Sequence, residues 1–222
     1  MSVASCRSLL FVRADDSALL AAALASEADG IVADLEDATP AGAKERARDV
    51  VAELFGREGA GPRRLVRVNP VDGPLAEADL ELAAGLRLDA LVVPHATVDA
   101  VDAVAPLGLP TVAVVESARG LREAYEIATR PHVVGIQLGA KDLALDLGLE
   151  PRADALELLH ARSRLVVDAV AAGLEGLWDR VAPAGDHAAL EADAAFGRSL
   201  GFRGKSTLAP EDARVINRVF AR

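Results

Sequence analysis

Short apolar segments of five to seven residues recur along the whole chain. Several of them are rich in Val and Ile and almost continuously hydrophobic, which is typical of strands covered on both faces in a parallel sheet. The pattern predicts eight strands, at residues 8–12, 30–35, 64–68, 90–94, 111–116, 133–139, 176–182 and 202–208.

Segments of helix length, rich in Ala, Leu, Glu and Arg, lie between the predicted strands. They include residues 15–28, 41–56, 153–173 and 211–221. In the longest of these, Leu156, Leu159, Leu165 and Val166 fall at helical spacing, and Gly173 is a stop signal.

Eight strand–helix units, with roughly 28 residues to each, predict a protein of the α/β class that folds as a (β/α)8 TIM barrel. A doubly wound open sheet would show the same alternation. The number of units, and the lack of a Gly-rich phosphate loop after the first strand, favour the barrel. We predict one domain over residues 1–222, with no C-terminal extension that covers the site.

Polar side chains stand where the predicted strands end, and a barrel of this kind carries its chemistry there. Glu116 ends the fifth strand and Asp142 follows the sixth. Because neighbouring strands lie about 4.8 Å apart, these two carboxylates can reach one ion. Two oxygen ligands with open positions suit Mg²⁺, which keeps waters and shares its shell with a substrate. The alternative is that Glu116 caps the next helix and Asp142 pairs with a surface Lys or Arg.

Arg67 lies on the third strand between apolar neighbours, where a planar guanidinium can bind a carboxylate through two hydrogen bonds. It could equally form a structural ion pair with Glu36 or Asp37, which follow the second strand. Gly139 and Ala140 stand at a strand–helix turn, where free backbone N–H groups can bind an anion. Gly at such a turn is more often needed for steric reasons.

Composition limits the partners and the compartment. The net charge is −10, from 24 basic and 34 acidic residues, which argues against nucleic acid or an anionic membrane as the main partner. Cys6 is the only cysteine in the sequence, so no intrachain disulfide can form. The apolar run at 8–12 is too short for a signal peptide or a membrane span. We therefore predict a cytoplasmic protein.

Segments along nearly the whole chain resemble, in order and spacing, the citrate lyase beta subunit-like branch of the HpcH/HpaI aldolase superfamily. The most specific are LEDA, RVN, ESARG and GAKDLALDLG, at residues 35–38, 67–69, 116–120 and 139–148. The resemblance implies a (β/α)8 barrel that forms a homo-oligomer, a trimer or a hexamer. It also implies an enzyme that makes or breaks carbon–carbon bonds next to a carbonyl group, often in CoA thioesters.

The resemblance assigns roles within the site. It implies a Mg²⁺ ion held by Glu116 and Asp142, the same pair that the strand ends indicate. Arg67 would hold the carboxylate of the substrate. Glu36 and Asp37 would lie under the metal or its waters.

The backbone around Gly139, Ala140 and Lys141 would complete the substrate pocket. Lys141 could itself bind a carboxylate or lie at the surface. Several positions depart from the family pattern and put the use of CoA in doubt: Arg13–Ala14 for Pro-Gly, His95 for Lys, Lys141 for Glu and Ala209 for His.

Two further polar positions have open interpretations. His95 is a candidate general base, although a helix-capping or surface histidine is the favoured interpretation. Asp179, on the seventh strand, could face the barrel interior or form a structural ion pair. His132, His160 and His187 are expected to be structural.

These features support three hypotheses about function. The first is a Mg²⁺-dependent carbon–carbon lyase or aldolase acting on a 2-oxo or 3-hydroxy acid or its CoA thioester. The second is hydrolysis of a CoA thioester such as malyl-CoA on the same metal site. The third is a barrel that binds metal and an oxo acid without turnover.

Overall fold

The computed structural model describes residues 2–57, 61–152, 154–181 and 186–221. Within these ranges eight strands pair in chain order, every pair is parallel, and β1 pairs with β8 to close a barrel. The strands are β1 (Ser8–Arg13), β2 (Gly30–Asp34), β3 (Arg63–Arg67), β4 (Ala90–Val93), β5 (Thr111–Val115), β6 (Val133–Leu138), β7 (Gly176–Asp179) and β8 (Gly204–Thr207). The predicted (β/α)8 TIM barrel is confirmed.

Helices follow the strands and cover the outside of the barrel. The described residues form α1 (Ser17–Leu24), α2 (Lys44–Phe55), α3 (Ala76–Ala84), α4 (Val98–Val104), α5 (Ala118–Arg122), α6 (Ala124–Ala128), α7 (Ala140–Asp146), α8 (Leu159–Ala171), α9 (His187–Leu200) and α10 (Asp212–Val219). Side-chain caps fix where several begin: Asp16 accepts hydrogen bonds from the first turn of α1, and Asp186 does the same for α9.

The longest predicted helix starts later than the sequence pattern indicated. Of the predicted range 153–173, residue 153 lies outside the described residues, and a 3₁₀ turn at Leu156–Leu158 precedes α8. Leu156 and Leu159 are 46 % and 37 % exposed, whereas Leu165 is fully buried. The regular apolar spacing in this segment therefore includes residues that do not belong to the buried face of α8.

Trp178 fills much of the barrel interior near the amino ends of the strands. It is 1 % exposed and packs with residues of the other strands, among them Leu9, Phe11 and Val112. A Cβ at Gly176 or Gly204 would lie 2.7 Å or 2.6 Å from the Trp178 ring. Glycine on the neighbouring strand and on β7 itself thus leaves room for the indole, and a side chain there would overpack the interior.

Two larger apolar clusters join the strands to the surrounding helices, one around β5–β7 and the other around β1–β4. These clusters stabilise the packing of the helices on the strands. The polar side chains at the carboxyl ends of the strands lie outside them and are available to bind a ligand. Among the described residues no helix has both the length and the apolar character needed to cross a bilayer. The domain bounds of 1–222, and the lack of a covering C-terminal extension, stay predictions.

Candidate functional site

A cavity of about 500 Å³ opens at the carboxyl ends of the strands. Its lining includes every residue of the predicted site except Glu36, together with side chains that the predicted site did not include. The predicted residues that border it are Asp37, Arg67, Glu116, Gly139, Ala140, Lys141 and Asp142. Glu36 lies directly beside it, in ion-pair contact with Arg67.

Glu116 follows β5, is 3 % exposed, and is fixed by backbone contacts. Its Oε1 accepts a hydrogen bond of 2.6 Å from the backbone N–H of His95. A Cβ added at Gly139 would clash with the Glu116 carboxylate, so the bare backbone of Gly139 makes room for it. The alternative that Glu116 caps the next helix is wrong, because Ser117 caps α5.

Burial is the main cause of the raised pKa of Glu116. Removal of the carboxylate from water raises its pKa from 4.5 to about 7, and the nearby charge of Glu36 adds to this, although His95 and Arg67 oppose it. A buried carboxylate that is costly to ionise gains from a bound cation. A cation bound beside Glu116 would favour its ionised form and lower this pKa.

Asp142 lies in the first turn of α7, half-buried, and borders the same cavity. Within the described ranges its side chain has no hydrogen bond or ion pair, so the expected alternative of a surface salt bridge is wrong. The carboxylate is thus available to a ligand beside Glu116. The roles of both residues as metal ligands stay predictions.

Arg67 ends β3, and the strand register places it beside Asp34 at the end of β2. Its Nε donates to Asp34 Oδ1 at 2.8 Å and its Nη2 donates to Asp34 Oδ2 at 2.5 Å. Its Nη1 lies 2.7 Å from Glu36 Oε2. Because a guanidinium has five N–H donors, these contacts leave two for a ligand. Arg67 therefore has structural partners and can still bind a substrate carboxylate.

The pairing between Asp34 and Arg67 was missed at the sequence level. Asp34 ends a predicted strand, but the predicted partner of Arg67 was Glu36 or Asp37, and of these the contact with Glu36 is confirmed. Asp37 is exposed at the cavity mouth, whereas Glu36 is buried. Cross-strand register, which the hydrophobic pattern does not supply, selects Asp34.

Lys44 supports the site through hydrogen bonds that the sequence pattern did not predict. Its Nζ donates to the backbone oxygens of Leu35 and Glu36, both at 2.6 Å, and to Asn69 Oδ1 at 3.0 Å. The Asn69 side chain in turn donates to Leu35 O and to Asp79. These contacts tie the loop after β2 to β3 and so hold Glu36 in place.

His95 does not cap a helix, because Thr97 performs that role for α4. Its half-exposed ring lies between two carboxylates, with Nε2 3.4 Å from Glu36 Oε1 and Nδ1 3.6 Å from Glu116 Oε1. The hydrogen bond with Glu36 raises the pKa of His95 to about 9, despite partial burial. Burial alone would raise the pKa of Glu36, but His95 and Arg67 lower it. His95 also has φ of +46°, an uncommon conformation outside glycine.

Gly139 and Ala140 form the start of α7, which has no side-chain cap. The backbone there borders the cavity, as does exposed Lys141. Their predicted part in binding a carboxylate stays a prediction.

Three other polar residues considered in the sequence, Asp179, His132 and His187, do not line this cavity. Asp179 points outward to Arg162, with both side chains fully buried, so the structural ion pair that was one of its two interpretations is confirmed. His132 contacts Val101 O at 2.9 Å, and His187 Nε2 lies 3.4 Å from Asp212. These two histidines have structural contacts, as expected.

The donor set fits a hard divalent cation. In the described part of the chain, five carboxylates line or adjoin the cavity, against four cationic side chains, so the site has a small formal excess of negative charge. The carboxylates are Asp34, Glu36, Asp37, Glu116 and Asp142, and the cationic side chains are Arg67, His95, Lys141 and Arg180. Among the described residues no cluster of three or more His, Cys, Asp or Glu side chains has metal-ligand geometry. Two carboxylates with open positions suit Mg²⁺, which retains water and substrate ligands, better than a closed Zn²⁺ site.

Fold and site together define a (β/α)8 barrel with a cluster of carboxylates at the carboxyl ends of its strands. Residues 7–210 match the family model described as HpcH/HpaI aldolase/citrate lyase. The chain belongs to this family, and its relatives place it in the citrate lyase beta-like branch.

Two relatives and one solved structure illustrate the likeness. The chain is 34 % identical over 223 residues to a (3S)-malyl-CoA thioesterase of Cereibacter sphaeroides. The alignment covers 97 % of this chain and 77 % of that protein. It is 30 % identical over 231 residues to citrate lyase subunit beta of Leuconostoc mesenteroides, covering 97 % and 76 %. The citrate lyase beta subunit of M. tuberculosis, complexed with oxaloacetate and magnesium, superposes with a TM-score of 0.88 at 30 % identity and covers 100 % of both chains.

Proposed function

We propose that this chain is a Mg²⁺-dependent enzyme that makes or breaks a carbon–carbon bond next to a carbonyl group. Its substrate would be a 2-oxo or 3-hydroxy acid or the CoA thioester of such an acid. The observation that carries the proposal is the juxtaposition of Glu116, Asp142 and Arg67 around one cavity of about 500 Å³. The magnesium complex of the M. tuberculosis relative supports the choice of metal.

Each residue has a part in this proposal. Glu116 and Asp142 would hold the Mg²⁺ ion, which supplies Lewis-acid stabilisation of negative charge on a carbonyl oxygen when bound. Arg67, fixed by Asp34 and Glu36, would bind a carboxylate of the substrate and set its orientation. Glu36 would hold Arg67 and His95 in place, and Asp37 would interact with waters at the cavity mouth.

Calorimetric titration with oxalate, a mimic of a 2-oxo acid, tests the site. Binding should require Mg²⁺, should disappear with EDTA, and should be lost in Glu116→Gln, which keeps the shape of the side chain. A panel of oxo acids and acyl-CoA thioesters then tests turnover. Oxalate binding that is independent of metal and of Glu116 would contradict the proposed site, and binding without turnover would support a non-catalytic barrel.

Hydrolysis of a CoA thioester is a second candidate, favoured by the 34 % identity to a (3S)-malyl-CoA thioesterase. The same residues would serve both reactions, so product analysis must separate them. Carbon–carbon cleavage of malyl-CoA yields a shorter acyl-CoA and an oxo acid. Hydrolysis yields free CoA and the intact acid.

The proposal includes a small-molecule partner, either an oxo acid or an acyl-CoA, and no nucleic acid or membrane. It also includes a cytoplasmic location and a homo-oligomer, a trimer or a hexamer. Light scattering coupled to size-exclusion chromatography tests the assembly, since one chain has a mass of 23.0 kDa. A monomeric mass throughout would contradict the oligomer.

A further inference from the structure

The segment GAKDLALDLG, at residues 139–148, contains a second aspartate that the proposed chemistry does not use. Asp146 is the last residue of α7 and lies about one helical turn after Asp142. Its Oδ2 accepts a hydrogen bond of 2.7 Å from the backbone N–H of Ala118, the first residue of α5. Ala118 follows closely after Glu116 in the sequence. One hydrogen bond thus joins the two segments that carry the proposed metal ligands.

The position of Asp146 at the end of α7 is unfavourable for the helix itself. The C-terminus of a helix has a partial negative charge, so a carboxylate is repelled there and Lys or Arg is favoured. Aspartate is also a weak helix former. Asp146 is exposed, and in the part of the chain that the structure describes the Ala118 N–H is its one hydrogen-bond partner. This contact, and not the stability of α7, accounts for an aspartate here.

The same contact completes the start of α5, which is only five residues long. The Ser117 side chain accepts a hydrogen bond from Gly120 N, and Asp146 accepts one from Ala118 N. Two of the N–H groups that a helix start leaves without an intrahelical partner are thus satisfied. Because Glu116 directly precedes this start, the contact fixes the direction in which the chain leaves β5.

The structure holds α7 to the β5 segment at both of its ends. At the start, Gly139 N donates to Val115 O at 3.0 Å, and at the far end Asp146 makes its hydrogen bond. Between them Leu143 is fully buried in an apolar cluster, but apolar packing is not directional. Asp142 has no hydrogen bond of its own within the described ranges, so its position depends on how α7 lies.

We propose that Asp146 is a positioning residue for the metal site. Its hydrogen bond to Ala118 sets the spacing between Glu116 and Asp142, and this spacing sets the affinity for a divalent cation. The inference rests on the proposed function, because that proposal makes the two carboxylates metal ligands. Groups that orient metal ligands typically change metal affinity by about 10- to 100-fold when they are removed.

Mn²⁺ alone is the probe, because oxygen ligands suit it as they suit Mg²⁺ and electron paramagnetic resonance measures the free ion. Asp146→Ala should raise the Mn²⁺ dissociation constant at least about tenfold. Asp146→Asn removes the same charge but keeps an acceptor oxygen, and should stay within about threefold of the wild type. The difference between these two neutral variants isolates the hydrogen bond from the charge. Glu150→Ala removes a nearby exposed carboxylate and should keep the wild-type affinity.

Ala118→Pro deletes the donor and leaves Asp146 in place. Proline is tolerated at the first position of a helix, and Ser117 before it has φ −141° and ψ 159°, which suits a residue that precedes proline. The variant should therefore fold, and its Mn²⁺ dissociation constant should also rise at least about tenfold. It decides the matter if Asp146→Ala does not fold.

Thermal unfolding without metal separates positioning from stability. Loss of one helix-capping contact should lower the Tm of Asp146→Ala by no more than about 4 °C. A residue that only stabilises the fold would lower Tm and leave the Mn²⁺ affinity of the folded protein unchanged. We expect the reverse, a small change in Tm with a large loss of affinity.

The outcomes distinguish this inference from the proposed function. Mn²⁺ binding by the wild type that Glu116→Gln abolishes supports the proposed metal site, whatever the Asp146 variants do. Wild-type affinity in Asp146→Ala or Ala118→Pro, or an equal loss in Asp146→Asn and Asp146→Ala, overturns the positioning role alone. Mn²⁺ binding that is absent in the wild type, or that Glu116→Gln leaves unchanged, overturns both.

Discussion

At the scale of single residues, the site depends on contacts that the backbone supplies. Glu116 is held by the N–H of His95 on one side and by the bare backbone of Gly139 on the other. Both contacts come from neighbouring strand ends, so the carboxylate has little freedom to turn away. A ligand held in this way loses little conformational entropy when it binds a cation.

Gly139→Ala tests this arrangement. The added Cβ would lie against Glu116 Cβ and its carboxylate, so the carboxylate must move. We expect Mg²⁺-dependent oxalate affinity, measured by calorimetry, to fall by at least about tenfold, because a displacement of about 1 Å is costly in a functional site. Gly42→Ala is the matched control, since a Cβ there meets nothing within 4 Å. Undiminished affinity in a folded Gly139→Ala protein would show that Glu116 is not held by this contact.

Cys6 should be an unreactive thiol in the native state. It is 2 % exposed, and burial, with a contribution from Asp29, raises its pKa from 9.0 to about 12. Since the thiolate is the reactive form, a chromogenic disulfide reagent at about pH 8 should modify the native protein at least a hundredfold more slowly than the unfolded chain. Similar rates in both states would show that the thiol is open to solvent.

The same shift makes stability depend on pH. Because the pKa of Cys6 is higher in the folded state, its contribution to the free energy of unfolding is complete below about pH 9. It declines as the pH rises from there toward 12. Cys6→Ala should show a smaller decline over this range in urea denaturation, and an identical decline would assign the effect to other groups.

At the scale of elements, a buried charge cluster joins β7, β8, α8 and α9. It consists of the cations Arg162, Arg180 and Lys205 and the carboxylates Asp179 and Asp193. Asp179 and Lys205 lie next to each other in the strand register, and Arg162 and Asp193 reach them from the two helices. A buried ion pair adds little net stability compared with apolar packing, but loss of one partner is costly. The cluster therefore fixes how these four elements meet.

Asp179→Asn should be strongly destabilising. It leaves three buried cations with one carboxylate, so we expect a loss of about 3 kcal/mol in the free energy of unfolding, measured by urea denaturation. Glu191→Gln is the comparison, because the Glu191–Arg218 pair is exposed at 52 % and 62 % and should contribute less than about 1 kcal/mol. Equal effects of the two substitutions would mean that the cluster is not electrostatically coupled.

Elements also show what the sequence could and could not predict. The run at 30–35 corresponds to β2 within one residue, because a strand buried on both faces has a continuous apolar pattern. The run at 202–208 extends beyond β8 at both ends, since Phe202 and Leu208 are apolar but lie in loops. Contacts between elements, such as that of Asp34 with Arg67, depend on register and side-chain direction, which local pattern does not encode.

At the scale of the whole molecule, the barrel closure makes the site a meeting point of distant segments. The second to sixth strands bring residues from Asp34 to Asp142 around one cavity, although more than 100 residues of sequence separate them. A ligand bound there therefore joins elements from most of the chain. Its binding energy should add to the stability of the entire barrel rather than to one loop.

Ligand-induced thermal stabilisation tests this last point. Mg²⁺ and oxalate at about 100 times their dissociation constant should add about 2.7 kcal/mol to the stability of the folded state. For a chain of this size that corresponds to a rise of roughly 5–10 °C in Tm. Trp178, the one tryptophan in the sequence and 1 % exposed, reports the barrel interior by fluorescence.

Two variants test whether the rise in Tm depends on Glu116. In Glu116→Gln the shift should vanish, whereas in Gly42→Ala it should match the wild type, because that position leaves Glu116 untouched. Circular dichroism should report the same rise in Tm for the helices as Trp178 reports for the barrel interior, since the ligand stabilises strands on which both depend. A rise confined to one of the two signals would mean that the site stabilises a part of the barrel and not the whole.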